Sequence, residues 1–177
     1  MVKPAPSRRQ RRLGQNFLMD PNLLDAIVRD SGLRDDDVAL ELGAGAGALS
    51  ERLADRAAHL HAVEVDRRLE PELRALAARP DVSLHWEDAM RIDLAALHPP
   101  PAIVVSNLPY SVATPLLMRT IEELQGVDRW MVMVQREVAE RLSARSGCGA
   151  RNGASVSRRR SSSGSAAAAS RSACDRG

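Results

Sequence analysis

Short apolar runs alternate with helical patterns along most of the chain, and this alternation constrains the fold more than any other feature. Five runs have the length and composition of buried strands, namely residues 38–42, 60–65, 82–86, 102–105 and 130–134. Segments with helical spacing of apolar residues follow them, around residues 49–53, 67–79, 94–97, 116–121 and 137–142. Strands that are apolar on both faces and alternate with helices are typical of a parallel sheet. The sequence therefore predicts an α/β fold with helices on both faces of that sheet.

One more helix is predicted before the first strand. Asp20 is a good N-cap residue, and Pro21 fits the first helical turn. Apolar residues at helical spacing follow, and Gly32 is the expected end of the helix. This helix would cover part of one face of the sheet.

A basic arm precedes the alternating region. Residues 1–12 contain no acidic residue and five basic ones, Lys3, Arg8, Arg9, Arg11 and Arg12. Residues 13–145, in contrast, have a net charge of −8. A basic arm on an acidic body predicts local contact with a polyanion, and the four arginines are the candidates for this contact. A disordered terminus that only aids solubility is the alternative.

The composition changes at about Ser146. The last 32 residues contain nine Ser, seven Ala, six Arg and five Gly, with one valine as the only branched aliphatic residue. Ordering each residue costs about 1–2 kcal/mol of backbone entropy, and this segment has little to bury in return. We therefore expect a flexible arm at 1–12, a folded domain at 13–145 and a disordered tail at 146–177. The tail resembles coding DNA read in the wrong frame, and a natural linker or RNA-binding tail is the alternative.

Several classes of protein are not indicated by the sequence. No apolar stretch approaches the roughly 20 residues that a membrane-spanning helix needs, and the basic N-terminus lacks the apolar segment of a signal peptide. Both cysteines, Cys148 and Cys174, lie in the tail without zinc-like spacing to a histidine. We expect a soluble, cytoplasmic monomer with no membrane or metal partner. We also expect His59 and His61, beside the second predicted strand, at the surface.

A glycine-rich turn joins the first predicted strand to its helix. Residues 41–47 read ELGAGAG, and glycines let the backbone turn tightly and approach a ligand closely. Glu64 ends the second predicted strand, where a carboxylate can accept hydrogen bonds from both hydroxyls of a ribose. The spacing predicts a cofactor of the adenosine type, bound by Glu41, Gly43, Gly45 and Glu64.

Charge distinguishes between two cofactors of this type. A dinucleotide would bring an anionic pyrophosphate to Glu41, and Gly-x-Gly-x-Gly departs from the dinucleotide pattern Gly-x-Gly-x-x-Gly. S-adenosylmethionine carries a sulfonium and an ammonium, which an acidic neighbour favours. Asp88, followed by Ala89 after the third strand, adds a carboxylate that can accept from an adenine amino group; a turn cap is the alternative interpretation. The sequence therefore favours S-adenosylmethionine over NAD.

A polar motif ends the fourth predicted strand, where Asn107, Leu108, Pro109 and Tyr110 follow an apolar run. The Asn107 side chain and the Leu108 carbonyl can accept hydrogen bonds from an exocyclic amine, while Tyr110 stacks on the ring. An ordinary turn is the alternative. The motif favours chemistry on the amino group of a flat, nitrogen-bearing ring.

Six segments together resemble the ribosomal RNA adenine N6,N6-dimethyltransferases of the small-subunit type, over about residues 8–145. They are residues 14–18 (GQNFL), the glycine loop with Glu41, residues 63–66 (VEVD), Asp88-Ala89, residues 107–110 (NLPY) and residues 133–142 (MVQREVAERL). The resemblance implies a Rossmann-like class I methyltransferase that acts on two adjacent adenosines near the 3′ end of small-subunit rRNA, alone or in a pre-30S particle. It implies a cofactor site lined by Asn16, Leu18, Gly43, Glu64, Asp88 and Asn107. Residues 107–110 match the target-adenine motif of the family.

The chain departs from this family beyond Leu142. The family completes its sheet with two further strands, adds an aromatic residue that helps to clamp the base, and ends in a small helical domain that contacts RNA. Residues 146–177 show none of these patterns. We therefore expect an incomplete sheet with an exposed edge on the fifth strand, and weak or absent methyl transfer.

Other functions stay open at this point. An Asn-x-Pro-aromatic motif also serves enzymes that methylate DNA adenine or protein glutamine. A non-catalytic RNA-binding protein that occupies a ribosome assembly intermediate is a second alternative. An NAD-dependent dehydrogenase is the third, and it is disfavoured by Glu41 and by the lack of an obvious acid–base pair for hydride transfer.

Overall fold

The computed structural model describes residues 20–108 and 112–133, together with the backbone of Ala154–Ser157. Several predicted features lie outside these residues: Asn16, Leu18, Pro109, Tyr110, the arm with Arg8, Arg9, Arg11 and Arg12, the helix at 137–142 and most of the tail. Within the described part, no helix is long and apolar enough to cross a membrane.

Four helices and six strands make up the described part. The helices are α1 (Pro21–Asp30), α2 (Ala48–Ala54), α3 (Glu70–Ala77) and α4 (Ala113–Glu123). The strands are β1 (Val38–Leu42), β2 (His59–Val63), β3 (Val82–His85), β4 (Ile103–Asn107), β5 (Arg129–Met133) and β6 (Ala154–Ser157). Short 3₁₀ turns precede α3 and β4, at Arg67–Leu69 and Leu94–Ala96. The first five strands begin and end within two residues of the predicted runs.

The helix α1 begins and ends as its sequence predicts. The Asp20 carboxylate accepts a hydrogen bond from the Asn22 amide at 3.0 Å, and Pro21 occupies the first helical position. Gly32 follows the helix with φ at +70°, a left-handed conformation that favours glycine. The buried side of the helix consists of Leu24, Ile27 and Val28.

The sheet has the strand order β3-β2-β1-β4-β5-β6. The strands β1 to β5 are parallel, and β1 pairs with β2 over its full length. After β3 the chain returns to the other side of β1 to form β4, so the direction in which the sheet grows reverses there. The prediction of a parallel α/β sheet is confirmed.

Each face of the sheet is buried against helices, and alternate residues of β1 show this. Ala39 lies in an apolar cluster with residues of α1, α2 and α3. Leu40 and Leu42 lie in a second cluster with residues of α4 and of the 3₁₀ turn before β4. Trp130 of β5 is buried in this second cluster, and its Nε1 donates to Thr120 Oγ1 at 3.1 Å. Burial on both faces explains why apolar residues occupy both sides of these strands.

The sixth strand corrects the expectation for the tail. Ala154–Ser157 pair antiparallel with residues 129–132 of β5. The predicted disorder of residues 146–177 therefore does not hold for these four residues, and β6 covers the edge of β5 that was expected to be exposed. An unpaired edge offers a row of backbone N–H and C=O groups, which a strand can satisfy whatever its side chains.

The expectation that His61 lies at the surface is wrong. Its side chain is 1% exposed, and its Nε2 donates to the Pro99 carbonyl at 2.9 Å. Its Nδ1 lies 3.1 Å from His85 Nε2, and the ring of His59 lies edge-on at a centroid distance of 4.8 Å. Burial and the neighbouring histidines lower the pKa of His61 to about 4, although the Pro99 carbonyl opposes the shift. A strand covered on both faces has no polar side on which to place such a residue.

Acid should destabilise the fold through His61. The ordinary pKa of this group is 6.5, so between about pH 6.5 and 4 the unfolded chain takes up a proton that the folded chain does not. This uptake should lower the free energy of unfolding by roughly 3 kcal/mol, which urea denaturation measures. A His61→Gln variant should lose that part of the pH dependence. Identical pH profiles of the variant and the wild type would contradict this account.

Candidate cofactor site

The predicted site residues of the described part meet at the carboxyl edge of the sheet. The glycine loop follows β1, Glu64 follows β2, Asp88 follows β3 and Asn107 ends β4. Parallel strands place their carboxyl ends at one edge, and the reversal in strand order lies between β1 and β4. Open parallel sheets form a ligand-binding crevice at such a reversal. The topology therefore brings the predicted residues together around one crevice.

The backbone pairing between β1 and β4 ends before this edge. Their direct register covers two residue pairs, beginning with Ala39 opposite Ile103. Further along, the buried hydroxyl of Ser106 accepts a hydrogen bond from the Leu42 amide at 2.9 Å. A side chain thus takes the place of a backbone acceptor beyond the last paired residues. Sequence reasoning did not predict that Ser106 accepts this bond. The only indication in the sequence was a hydroxyl at the end of an apolar run.

Removing the Ser106 hydroxyl should weaken the fold. In Ser106→Ala the buried Leu42 amide loses its acceptor, so we expect the free energy of unfolding to fall by about 1–3 kcal/mol in chemical denaturation. Ser50→Ala is the matched control, because the Ser50 hydroxyl is also buried but accepts no hydrogen bond from a backbone amide of the described part of the chain. Equal losses in the two variants would show that Ser106 has no special role.

Left-handed backbone conformations shape the glycine loop. The φ angle is +82° at Gly43, +59° at Gly45 and +84° at Gly47. At Gly47, which caps α2, an added Cβ would lie 2.9 Å from Leu73 Cδ2. The Gly43 amide donates to the Val63 carbonyl of β2 at 2.8 Å. The loop therefore requires glycine for both its conformation and its packing, and it is attached to the neighbouring strand.

Glu64 contacts the glycine loop directly. Its side chain is buried, and Oε2 accepts from the Gly45 amide at 2.8 Å while Oε1 accepts from the Asp66 amide at 2.7 Å. A carboxylate has about four lone-pair positions, so it can accept further donors such as ribose hydroxyls. The sequence spacing had placed the loop and this acid in one site. That Glu64 binds a ribose stays a prediction.

Glu41 is buried beside the loop, and its carboxyl is only partly satisfied. The residue is 1% exposed, and Oε2 has no hydrogen-bond partner among the described residues. Burial above all raises the pKa of Glu41 to about 8; the negative charge of Glu64 adds to the shift and the Ser50 hydroxyl opposes it. Glu41 is therefore mostly protonated at pH 7. The sequence-based preference for S-adenosylmethionine over NAD assumed that Glu41 is an anion. In the fold, Glu41 becomes an anion only when a cation or a hydrogen-bond donor stabilises it.

The burial of Glu41 should make the fold less stable as the pH rises. Because its pKa in the folded chain exceeds the ordinary value of 4.5, the unfolded chain releases a proton between about pH 4.5 and 8 that the folded chain keeps. Over this interval we expect the wild type to lose roughly 4 kcal/mol of stability relative to Glu41→Gln. Urea denaturation at several pH values measures the difference, and parallel profiles would refute it.

Asp88 lies on a turn after β3. Its Oδ1 accepts from the Met90 amide at 2.9 Å, and its carbonyl accepts from the amides of Arg91 and Ile92 at 2.8 and 2.9 Å. Asp88 thus caps the turn, in agreement with the alternative interpretation of this residue. Its side chain is still 49% exposed and keeps lone pairs for another donor. The predicted contacts of Asp88 and Ala89 with the cofactor stay predictions.

Asn107 marks the point where the polar motif leaves the sheet. It pairs with Met133 of β5, and the Leu108 amide donates to the Met133 carbonyl at 3.1 Å. The side chain of Leu108 is buried. The register between β4 and β5 therefore fixes the first half of the motif, while Pro109 and Tyr110 lie outside the described residues.

Val65 lies next to Glu64 and was not among the predicted site residues. It was included in the second predicted strand, but β2 ends at Val63 and Val65 is 59% exposed. The sequence signal for Val65 was its place directly after Glu64, but Val65 also fitted the apolar pattern of the strand and was therefore assigned to it.

In the described part, no group of three or more His, Cys, Asp or Glu residues could hold a metal ion.

The fold and the site together define a class of protein. A parallel sheet with this strand order, a glycine loop after its first strand and an acidic residue after its second is typical of proteins that bind adenosine-containing cofactors. Residues 7–163 match the family described as ribosomal RNA adenine dimethylase. The chain therefore belongs to this family, as predicted. Because the family consists of S-adenosylmethionine-dependent methyltransferases, the predicted cofactor is confirmed at the level of the family.

Individual relatives agree with this assignment. Ribosomal RNA small subunit methyltransferase A of Rubrobacter xylanophilus is 48% identical over 141 residues, which are 79% of this chain and 53% of that protein. The crystal structure of the 23S rRNA methyltransferase ErmE aligns with a TM-score of 0.63 and 28% identity over 75% of this chain and 53% of that one. The crystal structure of a dimethyladenosine transferase from Plasmodium falciparum aligns with a TM-score of 0.62 and 25% identity, over 71% of this chain and 45% of that one. The chain spans about half the length of the curated relatives it matches.

Proposed function

We propose that this chain carries the cofactor-binding part of an enzyme that transfers methyl groups from S-adenosylmethionine to N6 of two adjacent adenosines near the 3′ end of small-subunit rRNA. The proposal depends on one observation above all. The loop at Gly45 is bound to Glu64 beside the buried, partly satisfied Glu41, in a chain of the ribosomal RNA adenine dimethylase family. The chain spans about half the length of these relatives, and the proposal concerns the part that it shares with them.

The donor set of the carboxyl edge fits S-adenosylmethionine. Glu64 keeps lone pairs for the ribose hydroxyls, and Asp88 offers a half-exposed carboxylate to the adenine amino group. Val65 presents an exposed apolar surface that an adenine ring would cover. Glu41 would give up its proton to solvent next to a cationic group, because a neighbouring positive charge favours the ionised carboxyl. When bound, the cofactor supplies an electrophilic methyl group.

The polar motif suits the other reactant. An adenine N6 is a poor nucleophile because its lone pair is delocalised into the ring. Acceptors at the Asn107 side chain and the Leu108 carbonyl would draw N6 toward tetrahedral geometry and direct the lone pair at the methyl group. Tyr110 would hold the extruded base by stacking, which contributes about 1–3 kcal/mol. Catalysis would then consist of positioning and electrostatics, without a covalent intermediate on the protein.

Residues outside the described part have roles in the same proposal. Asn16 and Leu18 would complete the cofactor site. The arginines of the basic arm would bind phosphates of the RNA and orient it, with an affinity that decreases as the salt concentration rises. Those four residues are Arg8, Arg9, Arg11 and Arg12.

A non-catalytic role in ribosome assembly is the second candidate. It is favoured by the basic arm at residues 1–12, which can bind RNA phosphates without a cofactor. Such a protein would bind small-subunit precursors whether or not S-adenosylmethionine is present. The enzymatic proposal, in contrast, requires that the cofactor site is used.

Transfer of labelled methyl groups tests the proposal. The full chain is incubated with small-subunit particles that lack adenine dimethylation and with radiolabelled S-adenosylmethionine, and the rRNA nucleosides are then separated. We expect label in N6-methylated adenosines, at a rate reduced by at least about 100-fold in Asn107→Ala. Asn22→Ala is the matched control, because Asn22 is an exposed residue of α1 far along the chain from the motif.

The other outcomes separate the candidates. Binding of the particles without label and without any dependence on S-adenosylmethionine would favour the non-catalytic role. Label in DNA or in protein glutamine, but not in rRNA, would assign the motif to a different substrate.

A further inference from the structure

Arg119 joins two parts of the site that are distant in sequence. From α4, its Nη1 donates to the Ala89 carbonyl at 2.7 Å, and its Nη2 donates to the Ile92 carbonyl. Its Nε and Nη2 also bind the Glu123 carboxylate, at 2.7 and 3.0 Å, one turn further along the helix. The side chain is 17% exposed, so this guanidinium lies largely between the helix and the turn after β3.

The two carbonyls belong to the Asp88 turn, which we define as residues 88–92. The amides of this turn point back to Asp88, whose side chain and carbonyl accept them. Carbonyl groups at the far end of such a turn need donors from elsewhere. A guanidinium suits two acceptors at once, because its five N–H groups form a rigid planar fork. Arg119 therefore determines how the Asp88 turn packs against α4.

The helix α4 is itself fixed beside the polar motif. Thr120, next to Arg119, accepts from Trp130 Nε1 of β5 and donates to the Leu117 carbonyl at 2.8 Å. The helix begins at Ala113, shortly after the residues of the motif. Arg119 is thus the link between the turn that carries Asp88 and the helix that follows Asn107.

We propose that Arg119 is a positioning residue, which holds the Asp88 turn in register with the polar motif so that the cofactor and the target amine are aligned. The inference rests on the proposed function and adds a residue to it. Arg119 acts through Asp88 and does not itself contact a reactant. Alignment of this kind matters because a misplacement of about 1 Å can reduce a reaction rate about 100-fold.

The test uses Arg119→Met in the full chain, which removes the donors and keeps most of the apolar stem. Without ligand, we expect amide hydrogen exchange of residues 90–92 to accelerate at least about tenfold, because the turn opens locally more often. Calorimetric titration should show S-adenosylmethionine bound about tenfold more weakly. Arg119→Lys should recover part of this affinity, because one ammonium can reach one of the two carbonyls.

Arg129→Met is the matched control. Arg129 also binds a backbone carbonyl and carboxylates, those of Gly32, Asp37 and Asp128, but it does so at the amino edge of the sheet. Burial would raise the pKa of Asp37, but the hydrogen bonds from Arg129 and from the Arg34 amide hold it below its ordinary value. This control should lose stability while its affinity for S-adenosylmethionine stays within about twofold of the wild type.

A comparison of two ligands shows which half of the cofactor loses affinity in Arg119→Met. The factor lost in Arg119→Met should be the same for S-adenosylmethionine and for 5′-methylthioadenosine, which lacks the amino-acid end, because the turn serves the adenosine half. Unchanged affinity and exchange in Arg119→Met, or equal weakening in Arg129→Met, would overturn the proposal. Failure of the wild type to bind S-adenosylmethionine would contradict the proposed function instead. The exchange rates would then still decide whether Arg119 holds the turn.

Discussion

The reversal of strand order between β1 and β4 is the constraint on which the site depends. The sheet grows outward from β1 in both directions, so β1 has a parallel neighbour on each side, and the order reverses between β1 and β4. Toward the carboxyl edge, the direct register of these two strands gives way to the hydrogen bond between Ser106 and the Leu42 amide. The glycine loop begins at Gly43, directly after the residue that donates this bond. Open parallel sheets form their ligand-binding crevice at such a reversal, and the loop lies beside it.

Two carboxyl groups beside the loop have opposite environments. Glu64 accepts two backbone hydrogen bonds and attaches the loop to β2, whereas Glu41 is buried with one oxygen that lacks a donor in the described part. Burying a carboxyl in this way costs stability, and functional sites are where proteins tolerate such costs. The cost would be offset by a ligand that carries positive charge, which is what distinguishes S-adenosylmethionine from a dinucleotide at this edge.

Much of the fold was predictable because it depends on hydrophobic pattern. Apolar runs and helical spacing located the first five strands, and the spacing between the glycine loop and Glu64 predicted that both belong to one cofactor site. The partners of Ser106 and Arg119 were not predictable, because both residues bind backbone groups, which leave no trace in the sequence. For the same reason composition could not reveal the pairing of Ala154–Ser157 with β5. The predicted stacking of Tyr110 on the base and the place of Pro109 in the motif stay predictions.

The most direct test of the central claim is calorimetric titration of the full chain with S-adenosylmethionine at pH 7, in buffers of different ionisation enthalpy, with NAD as the comparator. The account predicts saturable binding of S-adenosylmethionine alone. It also predicts the release of close to one proton per site, because Glu41 is mostly protonated before binding and would be ionised beside a cation. Tight binding of NAD, or binding of S-adenosylmethionine without proton release in the wild type, would contradict the role given to Glu41 and the carboxyl edge.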